Sequence, residues 1–373
     1  MIITIIAFIL IISFLIFIHE FGHYCAALKF GMKVNEFSIG MGPKLFQKVS
    51  KKTGIVYSIR AIPVGGFCQI KGEDGEEDKT EVSIDTEEKK SDSFTDKKIW
   101  QRAVVLFAGV FMNFIVAIVF IYIGLVSGFP SVIDSNIEND KGISIQNENI
   151  KIYNILKDSN ADKNKLKAGI DIISIDNIQF NNIEDLKKYI DQKDEIELKI
   201  KDGNKEYTTT LNKEFNKDLN QSIFGISFEK VGIIKYKPLR AIPETFKATW
   251  SLTEEMVYGL KYLISNIFSG HGIPDGLSGP IGIAVLTGDV VKRGYSYILQ
   301  FIALISLNLA FMNVLPFPAL DGGRILFLLF EKIKGARLNQ KFEAISDLVG
   351  FMLLMILIIA VSFKDVFTFI LHK

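Results

Sequence analysis

Apolar positions in this chain gather into a few long runs separated by a polar middle. About twenty apolar residues are enough to cross a bilayer as a helix, and four stretches qualify: 2–28, 99–128, 295–316 and 347–369. The third is the least regular, because Asn308 and Asn313 interrupt it and Pro316 and Pro318 end it. A helix that breaks at membrane depth must bury its freed backbone groups in protein or turn them to a cavity. Between the first two runs, 35–70 alternates and is rich in glycine and β-formers, with Thr53-Gly54 read as a hairpin turn. Residues 72–92 are dominated by Glu, Asp, Lys and Thr and are expected to be flexible. The segment 131–230 is a polar, Lys/Asn/Ile-rich module of single-domain size. Within it, strand-like runs at 171–175, 196–200 and 207–211 surround a helical stretch, 183–190. Beyond it, 244–268 reads as an amphipathic helix, and 277–283 as a Gly/Pro turn into a short apolar element.

The pattern predicts a multi-pass α-helical membrane protein with four transmembrane helices, a membrane-associated β-hairpin and one α+β insertion. Its divisions are the first span (1–30), a hairpin region with an acidic loop (31–98), the second span (99–128) and the α+β module (129–232). An amphipathic connector (233–294), the third span with its loop (295–346) and the fourth span (347–373) complete it. The first run has neither a basic segment before it nor a small-x-small site after it, so it reads as a retained span. Arg324, Lys332, Lys334, Arg337 and Lys341 outnumber Glu331 and Glu343 between spans three and four, which predicts a cytoplasmic connection. Both termini and the α+β module then fall outside, and the hairpin region inside. With Lys+Arg 43 against Asp+Glu 42, no basic face dominates and a nucleic-acid partner is excluded. Cys25 and Cys68 are too few for a disulfide framework and read as free thiols.

The chemistry begins with His19-Glu20-Phe21-Gly22-His23, inside the first apolar run. Positions i and i+4 lie one above the other on a helix, so His19 and His23 can grip one metal ion. Glu20 lies one step round, placed to activate water as a general base. Polar residues are costly in hydrocarbon, which argues for a metal over a solvated or merely packed pair. A catalytic zinc site needs a third protein ligand and an open position. Asp321, in Leu320-Asp321-Gly322-Gly323 just past the Asn/Pro break, is favoured over Asp289, Asp347 and Asp365. A role for Asp321 as helix N-cap stands beside that reading. His271 lies in a Gly/Pro-rich loop away from the metal and reads as solvated.

His19–His23 together with Asn313-Val314-Leu315-Pro316-Phe317-Pro318-Ala319-Leu320-Asp321-Gly322-Gly323-Arg324 closely resembles the intramembrane site-2 proteases, and within them the regulator-of-sigma-E protease group. The resemblance extends through 37–42, 60–66, 94–113 and Ser278-Gly279-Pro280-Ile281-Gly282. Lys165–Ile170, followed by an Asp and two isoleucines, resembles the signature of PDZ domains, without that signature's second glycine. The resemblance implies a zinc protease in a bacterial cytoplasmic membrane, cutting single-span membrane proteins within the bilayer after a first cut by another protease. It assigns Zn2+ to His19, His23 and Asp321, base catalysis to Glu20, and substrate contacts to Asn308, Asn313, Gly65 and Gly66. Phe107-Ala108-Gly109-Val110 lacks the proline that commonly follows this glycine, and only one PDZ unit fits. The rival readings are a catalytically silent PDZ-bearing scaffold and a metal transporter. The intact motifs oppose the first, and the lack of ligating residues in spans two and four opposes the second.

Overall fold

The computed structural model describes residues 2–73, 92–156, 159–202, 205–216, 221–270 and 277–367. Most of the acidic loop, His271 and His372 lie outside them. Helix α1 (Ile2–Lys29) leads into β1 (Val34–Val49), β2 (Val56–Ile70) and α2 (Ile99–Ser127). There follow β3 (Phe129–Val132), α3 (Ser135–Glu138), β4 (Ile143–Ile155), α4 (Asn160–Lys163), β5 (Asp171–Ile175) and α5 (Ile183–Asp191). Strands β6 (Glu195–Asp202), β7 (Lys205–Asn212), β8 (Glu214–Asn216), β9 (Gln221–Ile223) and β10 (Ile226–Tyr236) come next. The chain then returns to helix with α6 (Pro238–Phe268), α7 (Pro280–Arg293), α8 (Tyr295–Val314), α9 (Asp321–Lys334) and α10 (Gln340–Val366). It divides into two compact units, Ile123–Ile242 and the remainder.

Among the described residues, α1, α2, α8 and α10 are long and apolar enough to cross a membrane. Two expectations need correction. Helix α10 begins at Gln340 instead of 347, because Asn339 caps it by accepting the Lys341 N–H at 2.9 Å. Its first two turns are amphipathic, so a hydropathy reading passes over them. The short apolar element after Gly279 is a fourteen-residue helix, α7, with Pro280 at its first position. Its buried residues are Gly282, Thr287 and Gly288, small side chains spread around the helix that periodicity of large apolar residues does not reveal.

The hairpin is more folded than two strands suggest. Glu36–Ile39 faces Val56–Ile59 on one side and Gly66–Gln69 on the other, while Lys44–Val49 lies beyond Val56–Arg60. The free edges are therefore 44–49 and 66–70. Glu36 is buried at the centre, accepting from Ser58 Oγ (2.6 Å) and Arg60 (2.9 Å) and paired with Lys44 Nζ (2.8 Å). Burial pushes its carboxyl up, but the Lys44, Ser58 and Arg60 hydrogen bonds outweigh that and hold it below the ordinary carboxylate range. An aromatic cluster of Phe17, Phe21, Tyr24, Phe37 and Tyr57 fastens this sheet to α1.

Helix α9 is tied to α2 by a buried ion pair, Arg102 to Glu331 at 2.5 Å. Removing one partner of such a pair strands the other charge and costs about 3–5 kcal/mol, while replacing both with apolar groups is often neutral. Arg102→Met should therefore lower the unfolding midpoint of the detergent-solubilised protein clearly, and Arg102→Met/Glu331→Leu should recover most of it. Unfolding of Arg102→Met at the native temperature would show that the pair holds nothing.

The second unit is built on a six-stranded sheet in the order β3-β10-β4-β5-β6-β7. Alternation in β6 sends Ile196, Leu198 and Ile200 into the core, where all three are fully buried. Each contributes roughly 1.5–3 kcal/mol of burial. Leu186 on α5 joins the same core, and Asn182 caps that helix through the Glu184 N–H.

Candidate metal centre

Helix α1 sets His19 and His23 one turn apart, with their Nε2 atoms 3.2 Å from each other. Asp321, the first residue of α9, brings Oδ2 to 3.1 Å from His19 Nε2 and 3.5 Å from His23 Nε2. Leu320, not Asp321, occupies the N-cap position, and it makes no side-chain cap. These three ligand atoms form the one such cluster of His, Cys, Asp or Glu among the described residues.

The separations suit a single ion. Zinc–nitrogen bonds of about 2.0–2.1 Å in tetrahedral array place ligand atoms roughly 3.3 Å apart. Asp321 Oδ2 is also buried without a hydrogen bond, a state that a cation would relieve. A carboxylate ligates a metal in its ionised form, and the neutral imidazoles beside it do so through Nε2.

Further residues set the orientation of these side chains. His23 Nδ1 lies 2.8 Å from the Val105 carbonyl, so Nδ1 carries the proton and Nε2 keeps its lone pair toward Asp321. Asn113 is fully buried on α2, with its amide 3.4 Å from His19 Nδ1 and its Oδ1 unsatisfied. Ser306 Oγ donates to the Asn113 carbonyl at 2.7 Å, linking α8 to α2. Glycines let α1 and α2 approach this closely. A β-carbon at Gly109 would fall on the His23 ring and 2.8 Å from His19 Cε1, and one at Gly22 would fall on the Ala108 carbonyl. Gly109, Asn113 and Val105 escaped a reading based on ligand spacing. The available signal was a lone amide in an apolar span, which is costly there without a use.

Glu20 points beside the cluster, its Oε2 accepting the Cys68 N–H from β2 at 3.0 Å. A cavity of about 280 Å3 opens here, lined by His19, Glu20, Asn113, Asn313, Leu320 and Asp321 among others. Of the expected substrate contacts, Asn313 lines this cavity. Asn308 does not; it lies five residues away on the same helix and is exposed. Gly65 and Gly66 are buried in the bent sheet instead of lining the cavity. A β-carbon at 66 would sit 2.6 Å from the Ser38 carbonyl, and Gly65 takes φ +83°. The rejected ligand candidates are occupied elsewhere: Asp289 pairs with Lys292, Asp365 accepts from Gly279 and Gly282, and Asp347 accepts from Ala319.

Comparison with known proteins agrees with this chemistry. The model of peptidase family M50 matches residues 7–357. The regulator of sigma-W protease RasP of Bacillus subtilis is 30% identical, with 97% of this chain and 98% of that protein covered. A Fusobacterium nucleatum protein provisionally named a zinc metalloprotease is 34% identical over 96% of this chain and 97% of its own length. The zinc metalloprotease RasP of Geobacillus kaustophilus is 28% identical over 99% of both.

Proposed function

The chain belongs to peptidase family M50, and from that premise we propose that His19, His23 and Asp321 hold its zinc and that Glu20 is its general base. The enzyme is a membrane zinc metalloprotease of the site-2 type. The observation that carries the assignment is the meeting of two imidazole nitrogens and one unsatisfied carboxylate oxygen, from α1 and α9, within 3.5 Å. Bound zinc supplies Lewis acidity toward a carbonyl oxygen and makes water easier to deprotonate. Glu20, held by the Cys68 N–H, takes the proton of the attacking water and delivers it to the leaving nitrogen. Asn313 faces the same cavity and donates to the reacting carbonyl or holds the peptide. Asn113, with its amide turned so that Oδ1 accepts from His19 Nδ1–H, keeps His19 Nε2 for the metal.

The substrate is a single-span membrane protein, cut inside its span in regulated proteolysis, with anti-sigma factors or signal-peptide remnants as the expected class. A helical span hides its carbonyls in internal hydrogen bonds and must unwind before attack. The edge 66–70 meets that need: its backbone already reaches Glu20 through Cys68, and beyond 34–39 it has no strand partner among the described residues. An unwound segment adding there regains its backbone hydrogen bonds. Exposed Met41, Leu45, Phe46, Val49 and Ile62 give the hairpin an apolar surface suited to lipid contact. The module of 129–232 reads as PDZ-like and, by the basic-residue asymmetry, lies outside a bacterial cytoplasmic membrane; it restricts access by bulky ectodomains. The test is reconstitution into vesicles with a single-span substrate and mass spectrometry of the products. The cut is expected inside the hydrocarbon-spanning segment; cuts confined to the flanking segments would reject the reading. Cys68→Pro deletes the N–H facing Glu20 and should slow cleavage about tenfold or more with zinc retained. Native turnover in that variant would remove the edge from the mechanism.

A further inference from the structure

The turn that delivers Asp321 is strained and has an outside support. After α8 ends, Phe317 N–H donates to Leu315 O and Leu320 N–H to Phe317 O, while Pro316 and Pro318 have no N–H to give. Ala319, between Pro318 and Leu320, adopts φ +72°, a conformation that L side chains resist. Its N–H turns away from the loop and donates to Asp347 Oδ1 on α10 at 3.0 Å. One helical turn further on, Gly350 lets α10 press against the Pro318 backbone: a β-carbon there would stand 2.8 Å from the Pro318 carbonyl carbon. Arg324, three residues after Asp321, stands 3.8 Å from Asp347 Oδ2 and is paired at 2.8 Å with Glu73, in the turn beyond β2.

We infer that Asp347 is a positioning residue for the metal centre: by accepting the Ala319 N–H it holds the left-handed turn that aims the Asp321 carboxylate at His19 and His23. Asp347 was a rival for the third ligand on sequence grounds; the structure gives it the task of placing that ligand. The inference rests on Asp321 being a zinc ligand. It assigns the effect to one acceptor atom and one backbone conformation, so each can be altered separately. Asparagine at 347 keeps a carbonyl oxygen for Ala319 while removing the charge beside Arg324. Glycine at 319 adopts positive φ without help.

The experiment measures zinc retention by the full-length, detergent-solubilised chain against a competing chelator, alongside substrate cleavage. Loss of a group that orients a ligand typically costs 10–100-fold in metal affinity, so Asp347→Ala should bind zinc at least about tenfold more weakly. Asp347→Asn should bind within about threefold of native, since its acceptor remains. Ala319→Gly/Asp347→Ala should recover most of the affinity, which a general packing defect at 347 would not allow. Native zinc retention in Asp347→Ala, failure of the glycine to rescue, or loss in Asp347→Asn equal to that in Asp347→Ala would each overturn the proposal alone. If Asp321→Ala itself retained zinc with native affinity, the ligand assignment and this inference would fall together.

Discussion

Glu20→Gln should reduce cleavage of a membrane substrate by about 10²–10⁴-fold, the range that a positioned general base supplies. Glutamine has the same shape and keeps an oxygen for the Cys68 N–H, so the hold on β2 survives. It cannot accept and return a proton, and it leaves the imidazoles and Asp321 untouched. Zinc content and the unfolding midpoint should therefore match the native protein while product fragments disappear. Cleavage persisting within tenfold of native would assign the base to another group.

Gly109→Ala is expected to be nearly as damaging, although the residue carries no chemistry. Its β-carbon would occupy the space of His23 Nε2 and crowd His19 Cε1. Both histidines face α2, where Val105 and Asn113 meet their rings, and Gly22 already packs on the Ala108 backbone, so the helices have nowhere to slide. Either the rings turn away from the metal position or α2 retreats, taking with it the Val105 carbonyl that holds His23. Zinc affinity should drop by about 100-fold, the upper end for residues that orient ligands. Chelator competition on purified Gly109→Ala would measure it; native affinity would show that the site tolerates a wider helix separation.

What the sequence made legible was local. His19, Glu20 and His23 share one helical turn, so their geometry follows from the period of the helix alone. The distant carboxylate was accessible because glycine and proline around 316–323 marked a break, and a break at membrane depth needs a purpose. In the second unit, alternation identified β6, whose inward residues carry the core. The missed features depend on how elements pack. Nothing in the period of α2 says that Gly109 faces two imidazoles or that Val105 O meets His23. Asn308 and Asn313 stand five residues apart, which turns a helix well past a right angle, so of the two only Asn313 lines the cavity. The early start of α10 was written in Asn339 and Glu343, polar residues that a search for apolar runs passes over. Asp347 shows the limit most clearly: its residue type permits ligation, and only the position of the Ala319 N–H decides that it supports the turn instead.

Side chains from α1 and α9 sharing one ion would show first in zinc stoichiometry. The full-length native chain, purified without chelator, should carry one zinc per chain, and His19→Ala, His23→Ala and Asp321→Ala should each lose it. Glu20→Gln, measured beside them, should keep it. A native chain that binds no zinc, or an Asp321→Ala variant that binds it as the native chain does, would contradict the account.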